Sequence, residues 1–83
     1  MRGAEEGGVD VDEISPLAWR LLRTAAGFEQ REVERRVDDL LQAHVSMLEG
    51  GSRGLSCSRR EALFSLYSTE LSADQIRALT SNF

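Results

Sequence analysis

One histidine, His44, and one cysteine, Cys57, are the only side chains of their kinds in the chain, and they set a low ceiling on its covalent chemistry. A nucleophile needs a base within hydrogen-bond reach, and a zinc site needs several Cys, His or carboxylate ligands at short spacing. Neither pattern is present, no pair of carboxylates marks a cleft, and a single cysteine excludes an intramolecular disulfide. The sequence therefore reads as no enzyme, with no metal and no cofactor. His44 is expected to be partly buried and hydrogen-bonded, and Cys57 to be an inert loop or core residue.

What remains is charge. Fourteen acidic residues against ten basic ones give a formal net charge of −4, and every basic residue is Arg. The acids are unevenly placed: Glu5, Glu6, Asp10, Asp12 and Glu13 face only Arg2 in the first thirteen residues, which leaves nine Arg against nine acids in the rest. Between Ile14 and Val37, Arg20, Arg23, Arg31, Arg35 and Arg36 outnumber Glu29, Glu32 and Glu34, a local excess of +2. An acidic protein can still present a basic face.

The elements that would carry these groups are short. Eighty-three residues make one domain near the lower limit for a core without staples. The Gly-rich acidic opening has no periodicity and reads as a disordered tail over residues 1–13, followed by one folded domain over 14–83. Ser15 before Pro16 is an N-cap with Pro at the first helical position, and Gly27 supplies a left-handed stop, so a first helix spans Pro16 to Ala26. Leu17, Trp19, Leu21, Leu22 and Ala25 are available for its buried face.

A second helix runs from Gln30 to Val37, with Val33 and Val37 inward and its Arg and Glu residues outward. Asp39 and Gln42 have capping-box spacing and open a third helix from near Leu40 to Glu49. Leu41, Val45 and Leu48 line its inner face; Gln42, Ser46 and Glu49 lie opposite, flanked by Ala43 and Met47. Ser58 with Glu61 and Ser72 with Gln75 repeat the box and open two more helices, with stripes of Leu63, Leu66 and Tyr67, then Ile76, Leu79 and Phe83. No segment alternates with period two, so the fold is all-α with five short helices. No run is long enough for a membrane span and the opening residues lack a signal-peptide core, so a soluble cytoplasmic protein with no membrane partner is expected.

The stretches "LLRTAAGFEQREVERRV" and "HVSMLEGGSRGLS" resemble the helix-turn-helix of the lambda-repressor-like (Cro/XRE) family. Leu22, Arg23, Gly27, Phe28, Gln30 and Val33 match its first part, and Val45, Ser46, Leu48, Glu49, Gly51 and Arg53 its second. The likeness covers Pro16 to Tyr67. It implies a transcriptional regulator of the small-repressor type, a homodimer that reads a pseudo-palindrome in double-stranded DNA through the third helix. By the family's pattern Gln42, Ala43, Ser46 and Met47 reach base edges, Gln30, Arg31, Arg23 and Arg53 hold phosphates, and Glu49 faces the protein, bonded to a backbone N–H or an Arg.

The fifth helix, with Ile76, Leu79 and Phe83, is the apolar surface expected to join two copies. Gln42 has a plainer reading as the partner of Asp39 in the capping box. The competing function is a protein-interaction module on the same fold, of bridging-factor or antitoxin-like kind. The acidic net charge, Glu34 in the middle of the second helix, and a link before the third helix one residue longer than the family's usual one favour it.

Overall fold

The computed structural model describes residues 9–51 and 55–83. Their order is a 3-10 turn at Val11–Glu13, then α1 (Pro16–Ala26), α2 (Gln30–Arg36), α3 (Gln42–Glu49), α4 (Cys57–Ser68) and α5 (Ala73–Ser81). The fold is all-α, with no strand among the described residues.

The start and stop of α1 follow its sequence signals. Ser15 Oγ accepts the Ala18 N–H at 3.0 Å, Pro16 takes the first helical position, and Gly27 ends the helix at φ 89°. The Phe28 N–H then closes back on the Arg23 carbonyl at 3.1 Å, which satisfies an orphan acceptor of the last turn. α5 keeps its box: the Gln75 N–H bonds Ser72 Oγ at 3.1 Å and Gln75 Oε1 accepts the Ser72 N–H at 2.8 Å.

Two other starts are displaced. Asp39 does not cap α3, because its backbone sits in the left-handed region at φ 63°, whereas a capping residue needs extended geometry. The chain spends Asp38 and Asp39 on a reversal that drops Leu40 into the core, 2 % exposed, and the helix begins after Leu41. Leu41 itself, expected on the inner face, is 55 % exposed. α4 opens two residues earlier than Ser58 suggests, on Ser56, whose Oγ accepts the Arg59 N–H at 3.3 Å.

The core is built around Trp19, Leu22, Val33, Val45, Leu63 and Tyr67, all below 2 % or at 2 % exposure. Trp19 meets Tyr67 edge-on with centroids 6.3 Å apart, and Phe28 covers Tyr67 from another side at 6.2 Å. On α1 the buried face is Ala18, Trp19 and Leu22; Leu17 and Ala25, expected inside, lie at the surface. Helical phase explains Leu17: Ala18 and Leu22, i and i+4, centre the stripe and leave Leu17 well off it. Ala25, seven residues after Ala18, shares the stripe's phase but is exposed in the last turn of the helix.

The segment from Val9 to Glu13, expected to be tail, packs on the domain. Val9 and Val11 are half-buried against the core, and Asp12 meets Arg60 of α4 at 2.8 Å. Alternating valines give this piece apolar anchors that composition alone conceals. Residues 1–8 of the expected tail lie outside the described residues. α5 packs on α1, and Ser15 Oγ donates to the Phe83 carbonyl at 2.9 Å, so the start of α1 and the end of the chain are tied together.

Candidate functional site

α3 is held from behind by both α1 and α2. Val45 and Leu48 sink into the core, and Glu49 closes the helix onto Arg23. Arg23 Nε donates to Glu49 Oε2 at 2.7 Å and Nη2 to Oε1 at 3.1 Å, a two-bond fork, while Nη1 donates to the Phe28 carbonyl at 2.9 Å. Gln30 Nε2 adds a further bond to Glu49 Oε1 at 3.1 Å. The pair is largely shielded, with 13 % of the Arg23 and 7 % of the Glu49 side chain exposed.

Such forks between charged groups are short, directional and stronger than neutral bonds. The Glu49 bond raises the Arg23 pKa above its usual range, against the opposing effect of burial. Burial pushes the Tyr67 hydroxyl up strongly, and the negative charge of Glu49 adds to it, with Arg23 acting the other way.

This network redirects two residues expected on phosphate. Arg23 and Gln30 spend their donors on Glu49 and the Phe28 carbonyl, inside the domain. Glu49 does face the protein and bond an Arg, in keeping with its expected place. Arg31 is exposed and makes no ion pair among the described residues, and the same holds for Arg35. Arg36 lies with its guanidinium 5.4 Å from the centre of the Phe28 ring, a cation–π contact that nothing in the spacing announces. Arg53 lies outside the described residues.

The four residues expected to read bases, Gln42, Ala43, Ser46 and Met47, are all exposed on α3. Gln42 with Ser46 and Ala43 with Met47 are two i, i+4 pairs, so they form adjacent rows on the outer surface. Neither the Gln42 amide nor the Ser46 hydroxyl is bonded among the described residues. The cap that Gln42 was expected to complete is made instead by His44, whose Nδ1 accepts the Leu41 N–H at 3.0 Å. His44 is half-buried and bonded, as expected, but the box signature of Ser or Thr followed by Glu or Gln gives no warning of this version.

The residues expected to join two copies are partly used within one. Ile76 and Leu79 are half-buried against this chain's own core, because α5 packs on α1; Phe83 stays 56 % exposed. Among the described residues the other large exposed apolar side chains are Leu17, Leu41 and Met47. The described residues hold no group of His, Cys, Asp or Glu placed to bind a metal ion, and no helix long and apolar enough to cross a membrane.

A family model described as a domain of unknown function, DUF8599, matches residues 8–60. The chain belongs to the DUF8599 family. No curated protein and no solved structure matches it. The DUF8599 match runs from just before the 3-10 turn into the first turn of α4 and so contains Arg23, Gln30, Glu49 and all of α3. Most of α4 and the whole of α5 lie beyond it.

Proposed function

We propose that this DUF8599 domain is a sequence-specific DNA-binding regulator of lambda-repressor-like, small-repressor type, with α3 as the element that enters the major groove. The observation that carries this reading is the free outer surface of α3. Gln42, Ala43, Ser46 and Met47 are exposed, while the opposite side of the same helix is fixed by Val45, Leu48 and the Arg23–Glu49–Gln30 network. A groove reader needs this combination, a short rigid helix whose outward side chains are not spent on the protein itself.

The major groove is about 12 Å wide and admits one helix with its side chains. A Gln amide there bonds adenine through two atoms, and Ala or Met methyl groups contact the thymine methyl. The exposed Arg31 and Arg35 of α2 supply phosphate partners. One such domain covers too few base pairs for useful specificity, so the active form is a homodimer with its two α3 helices about 34 Å apart.

A second reading has its own support. Leu41 at 55 % and Met47 at 41 % exposure bring apolar surface to α3, and the exposed Asp38 and Asp39 stand directly before it. Carboxylates at that end repel phosphate, whereas an apolar patch with an acidic border suits a protein partner. Fluorescence anisotropy against DNA from the protein's own promoter and unrelated fragments, at rising salt, separates the two. DNA reading requires tighter binding to promoter DNA and a steep loss of affinity with salt. No binding to any fragment at low salt assigns α3 to a protein partner.

A further inference from the structure

The start of α3 is closed by an unusual pair. The Leu41 carbonyl accepts the His44 N–H at 2.9 Å and the Val45 N–H at 3.3 Å, and in return His44 Nδ1 accepts the Leu41 N–H at 3.0 Å. In an ordinary capping box the third helical residue is Glu or Gln, which remains an acceptor throughout the neutral range. Here it is an imidazole. We propose that His44 is a pH switch for the start of α3: protonation removes the acceptor that closes its first turn.

The chemistry is direct. An imidazole that accepts at Nδ1 carries its proton on Nε2; an imidazolium carries both and accepts nothing. Protonation therefore leaves two donors, Leu41 N–H and Nδ1–H, facing each other. It also places a positive charge in the first turn, where the helix dipole disfavours it. Histidine is the side chain that ordinarily changes charge between about pH 5 and 8, and His44 is the only one in the chain.

The surrounding charges do not replace the lost bond. α3 packs against α1, which carries Arg20 and Arg23, and against α2, which carries Arg31, Glu32, Glu34, Arg35 and Arg36 after Glu29. Asp38 and Asp39 precede α3, and Glu49 ends it. Among the described residues none of these pairs with His44, and Arg23 and Glu49 are closed on each other. Asp38 and Asp39 are both exposed, and their charges are screened by solvent. Because Gln42 and Ala43 lie within this first turn, loosening it moves two of the residues assigned above to base reading; this consequence rests on the DNA-binding proposal, whereas the switch does not.

The test compares urea unfolding of the full chain with that of His44→Gln, at about pH 7.5 and pH 5.5. Gln keeps an acceptor at the same place and does not titrate, and the carboxylates contribute equally to both proteins. The wild type is expected to lose roughly fivefold more of its folded-to-unfolded ratio between the two pH values than the variant, the size of one lost cap. His44→Ala, without an acceptor, should be weaker at both pH values and show no such extra loss. Equal pH responses in wild type and His44→Gln overturn the switch. Anisotropy with promoter DNA at the same two pH values reads the consequence. A His44-dependent loss of stability without DNA binding at either pH leaves the switch standing and removes the DNA reading. DNA binding with equal pH responses of stability in both proteins removes the switch alone.

Discussion

Arg23 and Glu49, twenty-six residues apart, join the last turn of α1 to the last residue of α3 through two parallel bonds of 2.7 and 3.1 Å. The fork fixes more than distance. Two parallel bonds set the rotation of the Glu49 carboxylate, and Gln30 from the first turn of α2 bonds the same carboxylate from another side. Three helices therefore meet at one side chain, and the angle at which α3 stands on the domain is decided there.

Removing Glu49 should be costly out of proportion to its size. Glu49→Ala leaves the Arg23 guanidinium shielded without its partner and the Gln30 amide without its acceptor, a loss of about 3 kcal/mol. Against a total stability of about 5–15 kcal/mol for a small domain, that is a large fraction. Glu49→Gln retains an acceptor and should cost less. Urea denaturation measures both; a loss below about 1 kcal/mol for Glu49→Ala would mean that water serves the guanidinium as well as the carboxylate does.

The tyrosine beneath this network gives a pH prediction of definite sign. Burial raises the Tyr67 pKa above the ordinary phenol value of about 10, so above that pH the unfolded chain releases a proton that the folded one keeps. The contribution to stability is complete below about pH 10 and is lost as pH climbs toward the raised folded value. Tyr67 is the only tyrosine, so tyrosinate absorbance reports it alone. The absorbance should appear only together with loss of helical structure. A folded protein that titrates near pH 10 would show that the ring edge is reached by water.

How much of this was legible in the sequence depends on the range of the interaction that decides each feature. Ser15, Pro16 and Gly27 bound α1 correctly, and Ser72 with Gln75 opened α5, because each acts on backbone within a few residues. The start of α3 was misplaced because the Asp39 and Gln42 pattern is local, whereas burial of Leu40 is a demand of the whole core, and it turned Asp39 into a turn residue. Likewise Arg23 and Gln30 looked free, since nothing in their own segment reveals a carboxylate brought in by a later helix. Ile76 and Leu79 looked available to a second copy for a related reason: a stripe on a terminal helix does not say which surface covers it. Gln42, Ala43, Ser46 and Met47 are exposed as the amphipathic period suggests, but the same period puts Glu49 outside and Leu41 inside, and the Arg23 fork and the turn before α3 reverse both.

The proposed roles of α2 and α3 on DNA separate charge from base reading, and two substitutions test them. Arg31 is exposed without an ion pair among the described residues, so Arg31→Ala removes the proposed phosphate contact at little structural cost. It should weaken binding to promoter and unrelated DNA alike and reduce the salt slope by about 1. Gln42→Ala should leave the salt slope unchanged and lose about 1–3 kcal/mol of preference for the promoter, the worth of one bidentate base contact. Arg77, on α5 and paired with Asp74 at 2.7 Å, serves as the control, since Arg77→Ala removes equal charge from a different element. If Arg31→Ala and Arg77→Ala weaken binding equally, attraction is a matter of overall charge and α2 holds no defined phosphate contact. If Arg31 acts alone and Gln42 carries the preference, α2 positions the domain on the backbone while α3 reads the bases.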